Sequence, residues 1–125
     1  ICYNNLIIMK IFILVTGILE LLVGWILLIN PKLMQAYKNA SNSLITSARM
    51  YGAAAVSIAV FALLVVLDFD NTVLHKPFLI VFGVFHFLVS LSVIISFYSK
   101  QTRDLKIAFL HGLFFILTLY FLISY

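Results

Sequence analysis

Full charges are scarce in this sequence: eight Lys or Arg and four Asp or Glu among 125 residues. A soluble domain carries about 25% charged residues. Here the share is 10%, too little to cover a water-exposed surface. Cysteine is nearly absent as well. The single Cys2 excludes an intrachain disulfide and any thiolate metal cage. Near the end of an apolar run, it reads as an idle thiol or a lipidation site. The two prolines, Pro31 and Pro77, stand at the ends of apolar runs and interrupt none. No basic tract with interleaved aromatics occurs, so nucleic acid is not an expected partner.

What is present is apolar. Hydrophobic residues make up 65% of the chain, and the mean hydropathy is +1.21. They gather into four stretches, at about 6–29, 44–67, 77–98 and 105–125. Each matches the roughly 20 residues a helix needs to cross a bilayer. The length suits one domain, so residues 1–125 are expected to form a single all-α, integral membrane, antiparallel four-helix bundle. Short connections make consecutive helices antiparallel neighbours.

Local signals set the boundaries. Asn30-Pro31 ends the first helix, because the residue before a proline avoids helical geometry. Residues 32–43 form the longest connection. There Leu33, Met34 and Tyr37 share one helical side, which fits either a short surface helix or a solvated loop. Asn39-Ala40-Ser41 matches a glycosylation sequon of the kind common by chance. Asp68 to Thr72 closes the second helix, and His75-Lys76-Pro77 opens the third. Met9-Lys10 resembles a translation start. The first span exceeds the h-region of a signal peptide, and no small-residue cleavage site follows it.

Positive charge predicts orientation. Lys32, Lys38, Arg49, Lys100, Arg103 and Lys106 lie on one side. Lys10 and Lys76 lie on the other, beside Asp68 and Asp70. The first and third loops are therefore expected in the cytoplasm of a bacterial inner membrane, with both termini extracytoplasmic. Trp25, Tyr98, Tyr120 and Tyr125 mark span ends, as interfacial aromatics do.

Within the spans, small and polar residues form stripes. Ala48, Gly52, Ala55, Ala59 and Ala62 recur at alternating spacings of four and three, a seam suited to close helix approach. Thr16, Gly17, Glu20 and Gly24 share a stripe in the first span. Gly83, His86 and Ser90 do so in the third, and Ala108, His111 and Gly112 in the fourth. Ionisable residues inside a span mark a functional site by default. Counted at 1.5 Å per residue from the cytoplasmic ends, Arg49 lies roughly 5–8 Å deep, His111 roughly 6–9 Å, Glu20 roughly 14 Å and His86 roughly 18 Å. One cytoplasm-facing pocket of Glu20, Arg49, His86 and His111, with Tyr51 close by, accounts for all of them. It suits a small anion, a lipid or quinone headgroup, or a relayed proton.

Plainer readings stand beside that one. Arg49 snorkels to the interface, Glu20 is a protonated helix-helix hydrogen-bond partner, and each histidine is a satisfied packing residue. Phe82, Phe85, Phe87, Phe114 and Phe115 fill the core or face lipid. A b-type haem needs two imidazoles at similar depth, and the roughly 9 Å offset between His86 and His111 argues against it. The same offset argues against a metal held by Glu20, His86 and His111. No cofactor is expected, and no Ser or Cys has a base and an orienting acid at suggestive spacing.

Gly17-Ile18-Leu19-Glu20 with Gly24, Arg49-Met50-Tyr51-Gly52, and His86 within the third span resemble the small four-helix membrane proteins of the DoxX-like superfamily, including its DUF4345-type members. The resemblance covers most of the chain. It implies a bundle fold and, since some members are partners of membrane redox systems, an accessory role. Two functions follow as expectations. The favoured one is a non-catalytic subunit that offers helix faces to other membrane subunits. The alternative is a stand-alone small transporter or membrane enzyme, enlarged by homo-oligomerisation and working at the polar pocket.

Overall fold

The computed structural model describes residues 3–102 and 104–124, with side chains from residue 5 onward. Cys2, Arg103 and Tyr125, named above, lie outside the described residues. The chain is all-α. Four long helices appear among the described residues: α1 (Tyr3–Ile29), α2 (Asn42–Leu67), α3 (His75–Tyr98) and α4 (Lys106–Ser124). All four are long and apolar enough to cross a bilayer. They fall into two compact units, Cys2–Asp70 and Asn71–Tyr125, and each unit is an antiparallel helix hairpin.

In the first hairpin α1 stops at Ile29. Asn30 then leaves helical geometry at φ −141° and ψ 78°, as the following proline requires. The connection is two single turns of 3-10 helix, Pro31–Leu33 and Gln35–Tyr37, with Met34 extended between them. No single surface helix spans residues 32–43; the connection is a mostly exposed loop built on short turns. Proline opens the first turn, and the extended Met34 keeps the two turns from joining. Ser41 caps α2 by accepting the Leu44 N–H at 3.4 Å.

The small-residue seam of α2 packs on α1. Ala48, Gly52, Ala55, Ala59 and Ala62 are all buried. Gly17 and Gly24 meet them from α1. A Cβ on Gly17 would lie 2.8 Å from the Ala62 Cβ, and one on Gly24 would lie 2.9 Å from both the Ala55 Cβ and the Gly52 carbonyl. The helices therefore touch backbone to backbone at the Gly24–Gly52 crossing. In lipid such close approach supplies the dispersion contact that burial from water cannot. At the far end the Lys10 ammonium sits 5.2 Å from the Phe69 ring centroid, a cation–π contact between the start of α1 and the exit from α2.

In the second hairpin Phe78, Leu79 and Phe82 are fully buried. α3 ends in a Schellman turn. The Gln101 N–H donates to the Ser96 carbonyl and the Lys100 N–H to the Phe97 carbonyl, while Lys100 takes φ 58°. The Thr102 N–H also reaches Ser96, so the chain folds back on α3. Asp104 starts α4 by accepting the Lys106 N–H at 2.8 Å.

Candidate functional site

Of the five expected residues, Glu20, Arg49 and Tyr51 belong to the first hairpin and His86 and His111 to the second. Glu20 lies on α1 and is buried at 5% exposure. Tyr51 on α2 is half-buried, within electrostatic range of Glu20 and of Tyr37. Arg49 differs from expectation, because its side chain is exposed. The seam fixes this: with Ala48 and Gly52 turned toward α1, the residue after Ala48 points away from the packed face. That geometry suits the snorkelling reading of Arg49.

His86 and His111 come together in the second hairpin. Both are buried, and their Nδ1 atoms lie 2.6 Å apart. One imidazole donates through Nδ1–H and the other accepts at Nδ1. Their ring centroids are 4.8 Å apart. The expected depth difference between them is thus corrected. Depth had been counted from helix ends assumed to be level, and they are not. α3 runs on about three turns past His86 to Tyr98, whereas barely more than one turn separates Lys106 from His111. The fold-back through Lys100, Gln101 and Thr102 takes up the difference. Haem meets a different obstacle than depth: a porphyrin between these rings would have to separate imidazoles already in hydrogen-bond contact.

The stripes read from α3 and α4 face each other in register. Ser90, one turn beyond His86, donates its hydroxyl to the Ala108 carbonyl at 2.9 Å. On the other side of the pair, a Cβ on Gly83 would lie 3.3 Å from the Thr118 methyl. Thr118 keeps its own hydroxyl satisfied on the Phe114 carbonyl at 2.7 Å, the usual solution for a hydroxyl inside a span. The two helices are therefore held on both sides of the histidines.

Three phenylalanines surround the pair. Relative to the His86 ring, Phe82 lies at 4.2 Å, Phe85 at 5.2 Å and Phe114 at 5.1 Å between centroids, all nearly perpendicular to it. Their role as core filling was one of the two sequence readings, while Phe87 is exposed. Sequence reasoning did not anticipate that they enclose the histidines, although Phe82 at four residues and Phe114 at three share helical faces with them. His75, read from sequence only as part of the segment that opens the third helix, is 1% exposed at the first turn of α3.

The arrangement offers a pair of neutral-capable imidazoles in an aromatic, water-poor setting, between helices that cannot easily move apart. That is a site for binding or for moving a proton. No family model matches this sequence, and neither a curated protein nor a solved structure matches it.

Proposed function

We propose that the protein is a small integral membrane protein whose function resides in an intramembrane binding site on the second hairpin, centred on His86 and His111. The supporting observation is their direct 2.6 Å contact inside the α3–α4 interface. Ionisable side chains are expensive in a span and are kept where they serve a pathway or a ligand. Two in contact, boxed by phenylalanines, are hard to account for as filling. The reading makes this chain a stand-alone or homo-oligomeric binding or transport protein of the bilayer. It sits in a bacterial inner membrane with the first and third loops cytoplasmic, following the Lys/Arg bias.

The accessory-subunit reading, with its DoxX-like resemblance, has one observation in its favour. Phe109, Ile116 and Ile123 repeat every seven residues along α4 and are 83%, 62% and 84% exposed. A partner helix would cover such a stripe, but lipid covers it equally well, so it ranks second.

Purification in a mild detergent, followed by mass spectrometry of what travels with the protein and an absorption spectrum, tests the two readings. A small ligand or ion retained by the wild type and lost from folded His86→Gln and His111→Gln variants is the expected result. Companion subunits in fixed ratio, with retention indifferent to both variants, would overturn it. Cysteine labelling at residues 40 and 72 tests orientation. Labelling of residue 40 from the extracytoplasmic side would reverse the assignment.

A further inference from the structure

We propose that His86 and His111 form a binding site for a borderline divalent transition-metal ion, of the zinc or cobalt type, held through their two Nδ1 atoms. The inference rests on the reading that the second hairpin carries a binding site, and it names the ligand class of that site.

The first support is convergence. The two Nδ1 atoms lie 2.6 Å apart, and only the shared proton separates their lone pairs. With that proton displaced, both nitrogens offer a lone pair to the same small space between the helices. Imidazole nitrogen is a ligand that zinc, copper, iron and nickel accept and that calcium and magnesium do not favour. Zn–N bonds of about 2.0–2.1 Å at a tetrahedral angle place two ligand nitrogens about 3.3 Å apart. The pair has to open by roughly 0.7 Å to reach that spacing.

The second support is preorganisation. Ser90 on Ala108 fixes the helices on one side of the pair, and Gly83 against Thr118 fixes them on the other. A metal site works when its ligands are held before the ion arrives. Packing of Phe82, Phe85 and Phe114 around His86 restrains the rings and thins out water. A hydrophobic shell of this kind governs solvent access to a metal.

The third support is the ligand count. Two protein nitrogens leave coordination positions for water or for a group that enters with the ion. Open positions mark sites that exchange ligands, as opposed to closed structural sites. For a chain that passes an ion across a bilayer, binding must be loose enough to release it.

The test uses the full chain in detergent, stripped with a chelator and titrated with Co(II), whose visible d–d bands report coordination, followed by competition with Zn(II). The expected result is saturable cobalt binding displaced by zinc. Affinity should fall at least about tenfold in His86→Ala and in His111→Ala, and should not change in Ser92→Ala, whose serine is exposed. Should an alanine variant fail to fold, the wild type alone decides: long-range 1H–15N spectra must show zinc shifting both Nδ1 resonances. No saturable binding, or binding that leaves both Nδ1 signals in place, overturns the proposal. If metal fails while a co-purifying organic ligand still depends on the two histidines, this inference falls and the binding-site reading stands. If nothing retained depends on them, both fall.

Discussion

Gly24 and Gly52 meet backbone to backbone where α1 crosses α2. A methyl group added to Gly52 would lie 2.7 Å from the Gly24 carbonyl oxygen and 2.6 Å from the Leu28 nitrogen. Both neighbours are backbone and cannot swing aside. The seam of Ala48, Ala55, Ala59 and Ala62 extends this contact in both directions, so the crossing fixes how closely the whole hairpin zips. Gly112 on α4 is a contrast. A Cβ there would stand 3.5 Å from the Ser90 hydroxyl, an ordinary contact.

Gly52→Ala should therefore destabilise the first hairpin by about 1–3 kcal/mol, the usual range for overpacking. Gly112→Ala should be neutral, or stabilising by up to about 1 kcal/mol from helix propensity. Denaturant titration in mixed micelles, followed by far-UV circular dichroism, compares the two. Equal losses would mean that the α1–α2 crossing is looser than described.

The contact between His86 and His111 should appear as energetic coupling. In a cycle of His86→Ala, His111→Ala and the double variant, the two effects should fall short of additivity by about 0.5–2 kcal/mol, the scale of interhelical hydrogen bonds in membranes. Each single variant leaves a buried imidazole without its partner, and the double variant removes that penalty. Additive single effects would show that the rings share a space without bonding.

Much of this was legible in the chain. Hydropathy placed all four helices, because a span must bury every backbone polar group within itself. Spacing of small residues found the α2 seam, because a helix presents every third or fourth residue to its neighbour. The Gly83–His86–Ser90 and Ala108–His111–Gly112 stripes were also visible, and they turned out to face one another. Their register was not visible. It depends on how far α3 overshoots the start of α4, and on a left-handed Lys100 that no glycine announced. Counting from helix ends therefore misplaced His111 relative to His86. For Arg49 two readings stood open, because which side of α2 it occupies depends on where the seam docks.

Ser90 and Ser92 separate an interhelical hydrogen bond from an intrahelical one. Ser90 donates across the interface to Ala108 at 2.9 Å, whereas the exposed Ser92 donates back to Val89 of its own helix at 2.9 Å. Ser90→Ala should lower the stability of the second hairpin by about 0.5–1.5 kcal/mol. Ser92→Ala should stay within about 0.5 kcal/mol of the wild type, as exposed substitutions do. Thermal unfolding of both variants in one detergent decides the matter, and a larger loss at Ser92 would contradict the assignment of the interface.

Lys100 carries the turn that lets α4 run back along α3 until His111 faces His86. Its φ of 58° lies in the left-handed region, where a side chain crowds the following carbonyl at a cost of roughly 1–2 kcal/mol. Glycine is the usual occupant of this position in a Schellman turn because it escapes that crowding. Lys100→Gly should therefore stabilise the second hairpin, by about 1 kcal/mol once the greater freedom of glycine in the unfolded chain is set against the relief. Lys100→Val should do the reverse, since a β-branched residue tolerates positive φ least. The order Gly above Lys above Val in unfolding midpoint is the expected outcome. If valine equalled lysine, the chain would not reverse through a left-handed residue here, and the register that brings His111 onto His86 would need another explanation.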